Sequence, residues 1–332
     1  MKVVLFDPSL KDNNGNPSNN LGDLIIHEFV EKAIVELFPS LSIYRISTHE
    51  LPSNRIKKNI DKEDICFLGG SNILNSTTNI YNNWKYDDSF FQTVFSKKIS
   101  VISLGTGWGE YQNEPNFYSK FFYSKRLDKN SIHSVRDNYT ENQLKKISQL
   151  KVLNTCCPTT WYIDGISANR KSHKKVKACV FTLTDYDQDI VKDSDLLDKL
   201  LENFEELLFF PQGLGDLDYV KTLDVFIKNQ QKIKIIDRSL NSFKTVLSQG
   251  NILYIGTRLH AGILALNFGV ESLIISIDNR AKEIAKDIHL PAIERNQTSL
   301  ISKWICGEQV FTEPKIKIPV GNIDTWKKQF SK

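Results

Sequence analysis

Residues 254–280 read YIGTRLHAGILALNFGVESLIISIDNR, and this stretch decides the fold. The apolar run 251–255 closes at Gly256 and reads as a short strand. Thr257, Arg258 and His260 follow at once. Residues 261–268 are apolar with small side chains and read as a buried helix, which Gly269 ends. Residues 272–277 are β-branched and bounded, so they read as a second buried strand. Asp278, Asn279 and Arg280 stand at its far end. In open α/β sheets, ligands bind beyond the carboxyl ends of strands, and both polar clusters fall at such ends. A helix starting near Thr257 also turns backbone N–H groups and a positive dipole end toward an anion. Arg258 can grip a carboxylate or phosphate with both arms of its guanidinium, and His260 can move a proton near neutral pH. In the plainer alternative Arg258 pairs with an acid and His260 is a satisfied core histidine. Spacing alone leaves both open.

Moving outward, the same alternation recurs. Before this stretch, strands are expected at 178–183, 206–210 and 232–236, and helices at 194–204, 218–228 and 241–249. The strand ends carry Thr184-Asp185-Tyr186, Pro211-Gln212-Gly213 and Asp237-Arg238. A helix is expected at 281–288. Toward the N-terminus a first series runs through strands at 3–6, 43–45, 65–68, 99–104 and 132–135, with helices at 82–95, 116–127 and 139–147. An Asn- and Gly-containing loop, 11–20, feeds a helix from Asn20-Leu21-Gly22-Asp23 to Phe38; it is either an anion or sugar cradle or a plain surface loop. Gly69-Gly70 and Gly105-Thr106-Gly107 follow consecutive strands and would lie side by side at one sheet edge. Arg136 repeats, at a strand end, the placement of Arg258; a simple turn pairing with Asp137 is the alternative.

Residues 166–177 are polar and basic, with Asn169, Arg170, Lys171, Lys174 and Lys175, and read as a linker. The expected architecture is therefore α/β: two doubly wound Rossmann-like domains, 1–165 and 178–332, in a GT-B-like layout with a cleft between them. The last helix can pack back on the N-terminal domain. Neither half carries a dinucleotide Gly fingerprint, which argues against a nicotinamide enzyme.

Composition narrows the class. With 332 residues, 40% of them hydrophobic and 25% charged, the chain reads as a soluble globular protein of two domains. No apolar run reaches the roughly 18 residues needed to span a bilayer. The first ten residues read as a strand, not a signal peptide. Net charge is +4 with no aromatic-interleaved basic run, so nucleic acid is not an expected partner. Five cysteines, an odd number without C-x-x-C, suggest reduced thiols and a cytoplasmic protein. Adjacent Cys156 and Cys157 read as buried and inert. No spacing suggests a metal site.

The run G-T-R-L-H-A-G-I-L-A-L-N-F-G-V at 256–270 resembles the signature of the polysaccharide pyruvyltransferase family. Asn20-Leu21-Gly22-Asp23 resembles the family's early N-x-G-D, Leu68-Gly69-Gly70 its Gly-rich turn, 104–109 its G-x-G turn, and Val135-Arg136-Asp137 its V-R-D. Ser71 departs from a third Gly kept by many members. Residues 155–160 and 276–280 resemble features of a subgroup. The resemblance implies transfer of a pyruvyl unit from phosphoenolpyruvate, a co-substrate, to two hydroxyls of a saccharide or lipid-linked saccharide, giving a cyclic ketal. It implies no other cofactor and no metal. Arg258 and Arg136 would grip the donor's two anionic groups, and His260 would serve as acid or base. The released phosphate would rest near Thr257. The acceptor would meet N-domain loops at Asn20, Asp23, Gly70 and Gly107, with Gln212, Asp278, Asn279 and Arg280 completing the site. A lipid-linked acceptor would bring the enzyme to the inner membrane face without a spanning helix. Two other readings suit the same layout. One is a glycosyltransferase using a nucleotide-activated sugar, with Asp278 or Asp185 as base; the other is a non-catalytic saccharide-binding protein.

Overall fold

A computed structural model describes residues 1–87, 89–96, 99–147, 149–169 and 176–331. The chain divides into two compact units. The first comprises residues 1–18, 26–161 and 319–332, and the second residues 19–25 and 162–318. Both are built from parallel strands, short and largely apolar runs of three to six residues that alternate with helices.

In the first unit, β1 (Val3–Asp7), β2 (Ile43–Ser47), β3 (Ile65–Gly69) and β4 (Val101–Leu104) form a parallel sheet in the order β2-β1-β3-β4. β5 (Ile132–Val135) and β6 (Lys151–Asn154) pair with each other. A single bridge from Thr106 to Val135 ties β5 to the segment after β4. Strand order reverses between β1 and β3. Beneath this sheet Phe6 packs edge-on against Trp84, with ring centroids 5.5 Å apart.

In the second unit, β7 (Ala178–Thr182), β8 (Glu206–Phe209), β9 (Ile233–Ile235), β10 (Ile252–Gly256), β11 (Glu271–Ser276) and β12 (Ala292–Glu294) are all parallel. Their order is β12-β11-β10-β7-β8-β9. This is the doubly wound order, with its reversal between β7 and β10. The core is made by Phe181, Phe209, Ile255, Leu273 and Trp304.

Several boundaries differ from the sequence reading. The second unit takes over at Tyr162, and residues 166–169 are not a free linker. The Asn169 side chain bonds the backbone of Val310 and Phe311, and Ala168 accepts the Trp304 indole N–H at 3.2 Å. Arg170, Lys171, Lys174 and Lys175 lie outside the described residues. The helix expected over 82–95 forms only at Phe90–Phe95. Upstream, the Asn82 side chain bonds the Trp84 N–H and Asn83 bonds the Asn72 carbonyl, so local side-chain bonds replace helical ones. The helix expected over 218–228 is two short helices, Asp216–Val220 and Asp224–Lys228, broken at extended Leu223. The helix Val320–Lys328 belongs to the first unit, where Trp326 is fully buried against Phe67, Trp161 and Phe330. Cys156 and Cys157 are buried, and burial pushes the Cys157 thiol up. Among the described residues no helix is long and apolar enough to cross a membrane.

Candidate active site

The reversal point of the second unit is where its polar residues gather. β10 delivers Gly256 beside Thr182 of β7, and the chain then turns sharply. The Thr257 N–H donates to the Thr182 carbonyl at 3.0 Å, and the Arg258 N–H donates to the Thr182 hydroxyl at 3.2 Å. Helix Leu259–Asn267 begins there, with Arg258 at its N-cap and His260 buried in its first turn. The helix is apolar on all sides because it is covered on all sides; residues 259–266 are all buried.

The Arg258 side chain is buried and held by two acids. Its Nε donates to Asp216 at 3.0 Å, and one terminal nitrogen donates to Asp185 at 2.8 Å and also to Asp216. Asp216 is fully buried and also accepts the N–H groups of Gly213, at 2.7 Å, and Asp185, at 3.2 Å. The Gly213 turn must be glycine, since a Cβ would fall 2.2 Å from the Arg258 guanidinium. The pairing alternative for Arg258 is thus the arrangement present. Asp185 keeps about a third of its side chain exposed (35%), so a carboxylate faces solvent beside a buried cation.

Arg258 and Arg280 both lie against the Tyr186 ring, with guanidinium carbons 5.0 and 5.6 Å from its centroid. Arg280 donates to Asp278 at 2.8 Å and to the Tyr186 hydroxyl, and 22% of its side chain is exposed. Asp278 also caps helix Asn279–Ile288 by accepting the Arg280 N–H at 3.0 Å, which draws the helix start back to buried Asn279. A third arginine, Arg238, donates to the carbonyls of Gly213, Gln212 and Asn19. Burial is the main influence holding Arg238 below its ordinary pKa. Nearby Arg258 adds to that, against Asp216.

Asn20 and Asp23 belong here, not to the first unit as their place in the sequence suggested. Residues 19–25 cluster with the second unit, because the Leu21 N–H donates to the Gln212 carbonyl at 3.2 Å and the Gln212 amide donates to Asn20 at 3.1 Å. Three buried side-chain atoms at the ends of β7, β8 and β10 have no hydrogen-bond partner: Thr184 Oγ1, Gln212 Oε1 and Thr257 Oγ1. Unpaired buried polar atoms are costly, and these three stand at strand ends of the second sheet as Thr48 and Thr106 do in the first.

Arg136, Gly70 and Gly107 lie in the first unit and serve its own loops. Arg136 is buried, paired with Asp137 at 3.1 Å, and bonded to Asn72 and, at 3.5 Å, to the Trp108 carbonyl. A Cβ on Gly107 would strike its guanidinium at 2.2 Å. Asp137 in turn caps helix Asn138–Lys145 by accepting the Thr140 N–H at 2.7 Å. For Arg136, as for Arg258, the pairing alternative is thus the arrangement present. Gly70, at φ 62°, turns its Cα onto Ile26 in the packed interior. Asp216, Arg238 and Tyr186 were not singled out from the sequence as site residues. Their signal was position, since each stands at or just past a strand end of this sheet. Among the described residues no cluster of three His, Cys, Asp or Glu is placed to hold a metal.

The profile of the family described as polysaccharide pyruvyl transferase matches residues 20–279. The amylovoran biosynthesis protein AmsJ of Erwinia amylovora is 28% identical over 88 residues, which is 26% of this chain and 21% of that protein. Among solved structures, UDP-GlcNAc 2-epimerase from Methanocaldococcus jannaschii superposes with a TM-score of 0.57 at 12% identity, covering 99% of this chain and 98% of that one. The same enzyme in complex with UDP-GlcNAc and UDP gives 0.53 at 14% identity, with the same coverage. These likenesses establish the fold: two Rossmann-like units, GT-B-like.

Proposed function

Because the chain belongs to the polysaccharide pyruvyl transferase family, we propose that it moves a pyruvyl unit from phosphoenolpyruvate to two hydroxyls of a saccharide or lipid-linked saccharide used in polysaccharide biosynthesis. The observation that carries this reading is the family signature placed at the strand reversal, where Arg258 and His260 stand beside unfilled polar atoms. Phosphoenolpyruvate brings a carboxylate and a phosphate. Arg280, partly exposed, takes the place first given to Arg136 as the second cation beside Arg258. Arg258 is oriented by Asp216, and Asp185 is the carboxylate that can move aside for the donor or accept a hydroxyl proton. Thr184, Thr257 and Gln212 supply the remaining hydrogen bonds.

The atoms balance without a further reactant. His260 delivers a proton to the methylene carbon of phosphoenolpyruvate, and the adjacent carbon becomes electrophilic. One sugar oxygen bonds to that carbon and gives up its proton to Asp185. The carbon–oxygen bond to phosphate then breaks, and the second hydroxyl oxygen closes the ketal. Of the two hydroxyl protons, one balances the methyl group formed and the other leaves on phosphate. The arginines stabilise the charge that develops on the departing phosphate.

Thermal shift with phosphoenolpyruvate beside a panel of nucleotides and nucleotide sugars tests the reading. Phosphoenolpyruvate at about a hundred times its dissociation constant should raise stability by roughly 2.7 kcal/mol. The shift should vanish in Arg280→Ala, and in His260→Ala it should persist while turnover falls roughly 100-fold. Stabilisation by a nucleotide sugar and none by phosphoenolpyruvate would replace this reading with glycosyl transfer.

A further inference from the structure

Helix Phe90–Phe95, FFQTVF, is inside out. Thr93 is its only buried residue, while Phe91 and Phe95 are 72% and 81% exposed. Ser89 caps the helix by accepting the Gln92 N–H at 3.2 Å, so the segment is held as a helix with its rings turned to solvent. It is fixed to a second aromatic helix, Phe117–Arg126, by Phe90. That ring stacks on Phe121 at 5.1 Å and lies 6.3 Å from Tyr118. Phe117, at the start of the second helix, is 81% exposed. An exposed aromatic patch of this kind marks an interaction surface.

Its charge says which kind. Neither helix contains an acidic residue. Two open grooves flank helix Phe90–Phe95, of about 610 and 260 Å³. Lys57 and Lys58 line the first, and Lys125, Arg126 and Lys129 the second. Lys57 and Arg126 are spent on buried Asp87. Lys58, Lys125 and Lys129 are exposed, and Lys125 reaches over the Phe121 ring at 5.7 Å. Aromatic rings at the centre of a patch with lysines at its rim match the two layers of an anionic membrane surface, acyl boundary and headgroup. Both helices are far too short to cross a bilayer, so contact is confined to the interface.

We propose that this face of the first unit docks the protein on an anionic lipid surface, with Phe91, Phe95 and Phe117 inserted and Lys58, Lys125 and Lys129 on the headgroups. The inference stands on the surface alone and is independent of the reaction proposed above.

Flotation of the full chain with vesicles tests it, using pure phosphatidylcholine beside phosphatidylcholine containing phosphatidylglycerol. Binding is expected to the anionic vesicles, to weaken as salt is raised from about 0.05 to about 0.5 M, and to fall about fivefold for each lysine changed to Gln. Phe91→Ser/Phe95→Ser/Phe117→Ser, all at exposed positions, should fold as the parent does by circular dichroism and lose binding at least tenfold. No binding by the parent at low salt would overturn the proposal, as would undiminished binding by the triple variant. A parent that is dimeric in light scattering and becomes monomeric in the triple variant would also overturn it, by assigning the patch to a protein partner.

Discussion

Arg258 shows what a single residue's neighbours in sequence conceal. The R-L-H run is visible at once, but the acids that hold Arg258 are 42 and 73 residues away, so only the fold brings them together. Arg136 is the opposite case, because its partner Asp137 is adjacent and the turn pairing was readable. Asp7, at the end of β1, makes a prediction at this scale. It is buried, 2.9 Å from His27 Nδ1 and 2.7 Å from Arg45 Nε. Burial alone would raise its pKa, but His27 and Arg45 outweigh burial and lower it. A carboxyl lowered in the folded state adds stability that is complete above its unfolded value, about 4, and is lost as pH falls through the folded value. Asp7→Asn should therefore cost about 1.5–3 kcal/mol at pH 7, by removing the buried carboxylate that Arg45 and His27 bond. Urea unfolding at pH 7 and pH 3 checks this: the gap between parent and variant should shrink at the lower pH. An equal gap at both would remove the ionic account.

Among elements, helix Leu259–Asn267 was legible because small residues, an apolar run and Gly269 all agree. The segment 19–25, which runs into the start of helix Leu21–Leu37, was not, since its partners Gln212 and Arg238 lie 192 and 219 residues on. Nor was the broken 82–95 segment, where asparagine side chains compete with helix bonds that periodicity counts as formed. Helix Leu259–Asn267 lies on β10 and β11 through Gly262. A Cβ there would fall 2.5 Å from Ile274 and 2.9 Å from Tyr254. Gly262→Ala should cost about 1–3 kcal/mol through overpacking and shift the helix start that carries His260. Combined with Ile274→Ala, which removes the Cγ1 that the new Cβ would strike, the total loss should be smaller than the sum of the two single changes, and thermal unfolding of the double variant measures that difference. Strictly additive losses would show that the two positions do not meet.

At the scale of the molecule, two series of strands alternating with helices were readable from the sequence, while the strand order and the exact membership of each unit were not. Trp326 is the clearest instance. It is fully buried in the first unit, and Gln329 bonds the Ile132 backbone in both directions, at 2.8 and 3.0 Å. Removing residues 319–332 should unfold the first unit and leave the second folded, since a lost buried Trp alone costs about 3–5 kcal/mol. Limited proteolysis of the shortened chain, read by mass, checks this: a surviving fragment near 162–318 is expected, and survival of 1–161 would contradict it. The same feature bears on the order of events during synthesis. The first unit begins at the first strand, yet it waits for a helix made more than 150 residues later, whereas residues 162–318 are complete before that helix exists. On the ribosome, the half translated second is therefore the one free to fold first, and the early strands must be kept from pairing with strangers until the closing helix arrives.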